Sequence, residues 1–361
     1  MTSKPREVEF GARSIGDGHS CFITLEAGPT HNGLQSALSL VDVAKTSGAD
    51  AVKFQVLDPD YLVADRSMLF NYTVLVDAAS GETKEISEPL FDILSRRTLE
   101  RSEWRTLKSY CDEVGLTFFA TALKEDEIDF LAEIGCESLK IASGDVNHLP
   151  LLRHAAQTGM CLQLDTGNST LGEIENAVDV IVAEGNERII IHHCPSGYPA
   201  RLQGINLRVI KTLRRMFSFP VAFSDHSPGW DMDVAAVALG AQMVEKTITH
   251  DRTTPSVEHI FSLEPDDASK FVHAIRDLEI ALGEKRRRMS ASELLNRNGA
   301  RRSVFLKHAV SVGDQLTMET IEFRRPGGGI APDQIAPLLN ASFSRALPAG
   351  HKLSLSDIKW S

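Results

Sequence analysis

Near the start of this chain one short apolar run closes on an acid and a second carries an amine. Phe22, Ile23 and Leu25 lead to Glu26, and the run Ala51 to Phe54 presents Lys53. Between them lie a turn-rich cluster, Gly28-Pro29-Thr30-His31-Asn32-Gly33, and a stretch from Leu34 to Gly48. In that stretch Leu38, Leu40, Val41, Val43 and Ala44 form a helical stripe. Strand, loop, helix and strand make a βαβ unit, which places Glu26 and Lys53 near the carboxyl ends of adjacent parallel strands. Parallel α/β proteins build their sites at that end. Later apolar runs close on polar residues in the same way: Thr121, Lys140 with Ser143, Asp165 with Thr166, His192 with His193, Ser224 with Asp225 and His226, and Glu245 to Thr247. Successive strands ending like this predict one polar mouth. Two lysines sharing a mouth repel and lose hydration unless an anion neutralises them. Lys53 and Lys140, with the hydroxyls of Thr121 and Ser143, therefore predict a phosphorylated or carboxylated ligand. His226 is open to three roles: metal ligand, general acid or base, and structural hydrogen-bonder. Glu26 is open to two, a base or a partner for a lysine.

The elements that must position these residues alternate regularly. Strands are expected from Cys21, Ala51, Leu116, Ser138, Cys161, Arg188, Pro220 and Met243, with helices between them and a last helix at Pro265 to Leu282. Eight such units predict an α/β fold, a (β/α)8 TIM barrel, over residues 1–284. The runner-up, a doubly wound open sheet, lacks the GxGxxG fingerprint after its first strand. Leu57 to Glu88 breaks the rhythm, with mixed polarity and an aromatic patch at Phe70 and Tyr72, and is expected to be an irregular lid or substrate wall. Residues 285–300, opening on Lys285-Arg286-Arg287-Arg288, read as a solvated linker. Residues 301–361 read as a small β-rich domain of short strands and glycine turns, with too little core to be very stable alone.

Composition narrows the function classes. Across 361 residues, 38 Lys and Arg face 49 Asp and Glu, a net charge of −11 that argues against nucleic acid or an anionic membrane surface as partner. Cys21, Cys111, Cys136, Cys161 and Cys194 are scattered without CxxC spacing, as expected of reduced, buried thiols. Met1 to Gly18 is polar and carries no apolar leader, and no window reaches the roughly 18 apolar residues of a membrane span. The expectation is a soluble, cytoplasmic protein.

A set of motifs resembles the sialic acid (N-acetylneuraminate) synthase family, which includes the synthases of legionaminic and pseudaminic acid. They are LEAGPTHNG, GADAVKFQ, FFATAL, LKIASGDVNHLPLLRHAAQTG, LDTGNSTLGEIENAV, HHCPSGYPA, NLRVIKTL, FSDHSPG, AAVALGAQMVEKTITHD, HIFSLEP and RRPGGGI, in the family's order along nearly the whole chain. The resemblance implies a barrel followed by an antifreeze-like (SAF) domain that reaches across a homodimer to the partner's mouth. It implies condensation of phosphoenolpyruvate with the open-chain aldehyde of an N-acylated hexosamine such as N-acetylmannosamine, with release of phosphate. Lys53, Thr121, Lys140, Ser143 and Ser224 would hold phosphoenolpyruvate. Glu26 would handle a proton or position water, Gln55 and Tyr198 would line the sugar side, and Arg325 would reach the sugar from the partner subunit.

The resemblance also implies a divalent metal (Mn2+ or Mg2+) on two histidines. His226 matches the first, but Thr247 stands at the second, and a neutral hydroxyl is a poor substitute for imidazole. His250 and Glu258 are the nearby candidates to replace it; Glu258 itself stands where the family has aspartate. Asp165 stands where the family usually has serine, and a carboxylate beside an anion is unfavourable unless it is protonated or paired. These departures imply a divergent branch with its own acceptor sugar. Two other classes remain open: a Schiff-base pyruvate aldolase using Lys53 or Lys140, and a non-catalytic sugar-binding protein.

Overall fold

In the computed structural model, which describes residues 7–359, eight parallel strands close into a barrel. They are β1 (Phe22–Glu26), β2 (Ala51–Gln55), β3 (Thr117–Thr121), β4 (Ser138–Ile141), β5 (Cys161–Asp165), β6 (Ile189–His193), β7 (Val221–Asp225) and β8 (Met243–Thr247). Each pairs with its sequence neighbours, and β8 pairs with β1 to complete the ring. The (β/α)8 barrel expected from the alternation is the observed fold.

Period-two alternation divides each strand between bore and helical layer. Ile23, Leu25, Val52, Phe54, Ile191 and Val244 face outward into the main apolar core with the helices. Inward residues form two chemically different levels. At the amino ends, Phe22, Ala51, Phe119, Cys161, Ile190, Ala222 and Met243 make an apolar plug. Above it the bore turns polar, with Thr24, Lys53, Lys140, Gln163, His192, Ser224 and Glu245 all buried.

A feature absent from the expectations seals the plug from below. Strands Glu7–Phe10 and Arg13–Gly16 form an antiparallel hairpin that delivers Val8, Phe10 and Ile15 to the plug. Phe10 packs on Phe22 and Phe119 at ring separations of 5.1 and 5.3 Å. Two four-residue strands carry too few alternations to stand out in a polar stretch.

The segment expected to be irregular is also ordered. After a short helix, Pro59–Leu62, strands Leu69–Asp77 and Glu82–Pro89 pair as a hairpin. Glu82, Thr83, Lys84 and Glu85 in its second strand are exposed, so no apolar alternation marked it.

The chain divides into two compact units at Gly283 and Glu284. The second contains helix Ala291–Ala300 and two small antiparallel pairs, Ser303–Leu306 with Ile321–Arg324 and Ser342–Phe343 with Ile358–Lys359. Val304, Leu306, Leu316, Ile321, Phe343 and Leu353 form its core. The linker stretch, whose second half has a helical pattern in the sequence, carries a helix whose start is capped by the Ser290 side chain, which accepts from Glu293 N. All five cysteines are buried and free, and no helix among the described residues is long and apolar enough to cross a membrane.

Candidate active site

The turn after β1 fixes the acid. Glu26 Oε1 accepts from Gly28 N at 2.6 Å, and a Cβ at Gly28 would stand 2.5 Å from that oxygen and 2.8 Å from Gln55 N. Only glycine allows the backbone this close. In register beside Glu26 are Lys53 on one side and Thr247 on the other.

Glu245 is the centre of the polar bore. Its Oε1 lies 2.9 Å from Lys53 Nζ and its Oε2 lies 2.8 Å from Lys140 Nζ, and Ser224 Oγ donates to it at 3.0 Å. Lys53 also pairs with Glu26, and Lys140 with Asp165 at 3.1 Å. His192 is held by Gln163, whose Oε1 is 3.0 Å from Nε2. That leaves Nδ1 to face Lys140 Nζ at 3.4 Å. This corrects the charge argument from the sequence: the two lysines do not wait for an external anion, because resident carboxylates already neutralise them. Glu245 was visible only as one polar strand end among eight.

Burial and charge then divide the acids by protonation. Burial opposes the charged form of Glu245, but Lys140 and Lys53 outweigh it and hold the carboxyl well below its usual range. Burial likewise works against the Lys53 ammonium, yet Glu245 and Glu26 push it well above its usual range. Burial raises Glu26 against the pull of Lys53. It raises Asp165 to about 6, against Lys140, and Glu258 to about 8, reinforced by the Glu26 charge. His226 is lowered to about 4, chiefly by burial. Near neutral pH the site therefore holds a charged Lys53, an ionised Glu245, a neutral imidazole at His226 and a protonated Glu258.

Glu26, Lys53, Gln55, Thr121, Ser143, Asp165, Tyr198, His226 and Glu258 line one cavity of 240 Å3 at the carboxyl end of the barrel, together with Glu245 and a ring of leucines. Lys140 and Ser224 bond to Glu245 but do not line the cavity. Arg325 is exposed and belongs to the second unit. A larger cleft of 510 Å3, lined in part by Asp17, Cys21, Arg214 and Gln242, gathers no comparable set of paired ionisable groups.

Glu258, singled out in the sequence as a neighbour of the site, does reach the cavity. Its backbone is in the left-handed region, φ +76°, uncommon for a residue with a Cβ and held only by surrounding structure. Arg97 supplies that structure. The buried guanidinium donates to Ser256 Oγ at 2.9 Å, approaches His259 Nε2 at 3.4 Å, and bonds the His31 carbonyl. It thereby braces residues on both sides of Glu258.

A raised carboxyl pKa has a defined sign in stability. Below about pH 4.5 Glu258 is protonated both folded and unfolded. Between 4.5 and 8 only the unfolded chain ionises, so stability falls as pH rises through that window. Glu258 still sees some solvent, which reduces the effect. Glu258→Gln is expected to stabilise the protein by about 2 kcal/mol at pH 8 and by nothing measurable near pH 4.5. Denaturant titrations at the two pH values check this; an equal shift at both would show that ionisation is not the cause.

The residues do not fit the expected two-histidine metal pair. Thr247 Oγ1 is committed to Glu258 Oε2 at 3.2 Å, and His250 is exposed and outside the cavity lining. Glu258 shares the cavity with His226, but burial raises its carboxyl to about 8 and leaves it a neutral, poor ligand near neutral pH. No three His, Cys, Asp or Glu side chains among the described residues are placed to hold a metal ion. His226 is the one imidazole lining the cavity, its Nδ1 buried without a hydrogen-bond partner.

Paired acids and amines above an apolar plug, at the carboxyl ends of eight parallel strands, define a (β/α)8-barrel protein with a site at the usual face. Residues 40–287 match the NeuB family, and the chain belongs to that family. It is 36% identical to the N,N'-diacetyllegionaminic acid synthase of Legionella pneumophila over 97% of this chain and 98% of that one. It is 32% identical to the human N-acetylneuraminate-9-phosphate synthase, over 90% of this chain and 89% of that one. The crystal structure of the N-acetylneuraminic acid synthetase of Leptospira borgpetersenii, in complex with citrate, superposes with a TM-score of 0.71 at 30% identity. It covers 82% of this chain and 97% of that chain.

Proposed function

We propose that this protein is a nonulosonic acid synthase that joins phosphoenolpyruvate to the open-chain aldehyde of an N-acylated hexosamine and releases phosphate. The observation that carries the reading is the convergence of Glu26, Lys53, Thr121, Ser143 and Tyr198 on one cavity in a chain whose full-length relatives include a legionaminic acid synthase and an N-acetylneuraminate-9-phosphate synthase. In the proposed reaction C3 of the enolpyruvate attacks the aldehyde carbon. The aldehyde oxygen gains a proton, water adds at the cationic C2, and the C2–O bond to phosphate breaks.

Lys53, which lines the cavity wall, meets phosphoenolpyruvate by exchanging part of its pairing with Glu26 for the incoming anion, with Thr121 and Ser143 donating hydroxyls. Lys140 and Ser224 act from below, through Glu245. Protonated Glu258 adds no negative charge against the incoming anion, and Asp165 is offset by Lys140. Glu26, whose charged form burial disfavours, is placed to take the proton of the attacking water. Gln55 and Tyr198 line the acceptor side. Residues 301–361 are proposed to be the antifreeze-like domain, delivering Arg325 to the sugar of the other protomer in a homodimer; a guanidinium suits that task because it stays charged and offers a planar fork.

The Schiff-base aldolase fits less well. An amine must lose its proton to attack a carbonyl, whereas Lys53 is held well above its usual range and Lys140 sits between two carboxylates. The test is incubation with phosphoenolpyruvate and a panel of 2-acetamido and 2,4-diacetamido hexoses. Phosphate release that requires both components is expected; a borohydride-trapped pyruvate adduct without phosphate would overturn the reading. No step of the reading runs through a metal. Chelation is accordingly expected to leave turnover within about threefold of the untreated protein, and a loss beyond about tenfold that Mn2+ restores would contradict the ligand argument.

A further inference from the structure

Behind His226, on the outer side of the barrel wall, lies a buried ion cluster that touches no atom of the proposed reaction. Lys246 alternates along β8 with Glu245 and Thr247. Glu245 lines the cavity and Thr247 bonds to Glu258, so Lys246 points the other way, toward helix Asp231–Ala238. Lys246 and Asp233 have no exposed surface, and Asp225 has 1%.

The contacts of Lys246 fall on both neighbours of His226. Its ammonium pairs with Asp225 and donates to the carbonyl of Ser227. Asp225 in turn accepts from Ser227 N at 3.0 Å and from Ser227 Oγ at 2.9 Å. Residues 225 and 227 are thus fixed to one ammonium and to each other. Asp233 stands 3.7 Å from the ammonium, and neither of its oxygens has a hydrogen-bond partner. Burial, with the Asp225 charge, pushes its carboxyl well above the usual range.

His226 itself has little else to orient it. Its Nδ1 is buried without a partner, and its ring rests on Tyr198 and Phe261 at centroid distances of 4.7 and 5.8 Å. Its carbonyl accepts from Ala200 N at 2.9 Å, which ties the same turn to the loop that carries Tyr198. Ring packing limits where the imidazole can go; the backbone on either side decides where it starts. Three apolar residues of similar volume would serve stability as well or better, so the arrangement calls for a role beyond stability.

We propose that Lys246 is a positioning residue, clamping the Asp225–Ser227 turn from outside the barrel so that His226, and through it the Tyr198 loop, keeps its place in the cavity. The proposal rests on the reading of that cavity as the active site and extends it to a side chain that never meets substrate. Removing Lys246 alone would leave Asp225 buried and uncompensated, so the deciding variant is Lys246→Met combined with Asp225→Asn, which removes both charges together.

The full-length protein is compared with this double variant by NMR of the histidine ring protons, the His226 signals being assigned by their loss in His226→Gln. Those signals are expected to shift and broaden in the double variant. The turnover number for phosphate release is expected to fall about 30-fold, with the KM for phosphoenolpyruvate within about threefold, since displacement of a site residue lowers rate more than binding of a ligand held elsewhere. Lys246→Arg, which keeps charge and donors, is expected to retain most of the activity. His226 signals unchanged in the double variant would overturn the clamp. The ring signals need no substrate: if the wild-type protein released no phosphate at all, the proposed reaction would fall while the NMR comparison still decided the clamp.

Discussion

Glu245→Gln is expected to reduce turnover by more than about 100-fold and to destabilise the fold by about 3–5 kcal/mol, the range for breaking a buried ion pair by removing one partner. Glu245 is the one carboxylate shared by both lysines, at 2.9 and 2.8 Å. Its neutral replacement leaves two ammonium groups facing each other across a buried bore, with Glu26 and Asp165 as their remaining partners. The amide brings a donor of its own, which must point at one of the two ammoniums whichever way it is turned. One of the two lysine contacts therefore becomes repulsive and the other weaker. Chemical denaturation and a phosphate assay on one preparation check both parts. A variant as stable as the parent would mean the lysines are neutralised by something other than Glu245.

The second large effect belongs to Glu26. Glu26→Gln keeps the carbonyl oxygen that accepts from Gly28 N, and Lys53 retains Glu245, so the site should assemble. What disappears is a group able to take a proton. Turnover is expected to fall about 1,000-fold, in the middle of the range for losing a general base, with phosphoenolpyruvate binding nearly unchanged. Calorimetric binding alongside turnover separates the two. Parental turnover in Glu26→Gln would remove that carboxylate from the mechanism.

These two acids also show how far the sequence could be read. Glu26 and Lys53 were legible because each lies in a short apolar run that forms an almost wholly buried strand, and the carboxyl end of a parallel strand is where side chains enter a mouth. The barrel was legible for the same reason, repeated eight times. Glu245 was seen as a strand end, but its role was hidden. It pairs with Lys53 and Lys140 across the bore, and charges read one strand at a time do not reveal which carboxylate lies opposite which amine. The inference that the lysines await an anion failed on this point.

Lys246 was harder still, because one residue's shift along β8 sends a side chain to the opposite face. Its partners Asp225 and Asp233 come from the preceding strand and helix. The two hairpins were missed for different reasons. Residues 7–16 offer only Val8, Phe10 and Ile15 as inward positions. The hairpin at 69–89 carries charges along its exposed second strand and so reads as a loop. Arg97 gave no signal at all: it lies far along the chain from the Ser256–His259 turn that it braces.

The central claim is that this cavity breaks the C–O bond of phosphoenolpyruvate while joining it to an aldehyde. Phosphoenolpyruvate labelled with 18O in the oxygen bridging C2 and phosphorus tests it directly. Turned over with the best acceptor sugar and followed by 31P NMR, the label is expected in the released phosphate. Label retained in the organic product, or its appearance in phosphate without any acceptor present, would contradict the account.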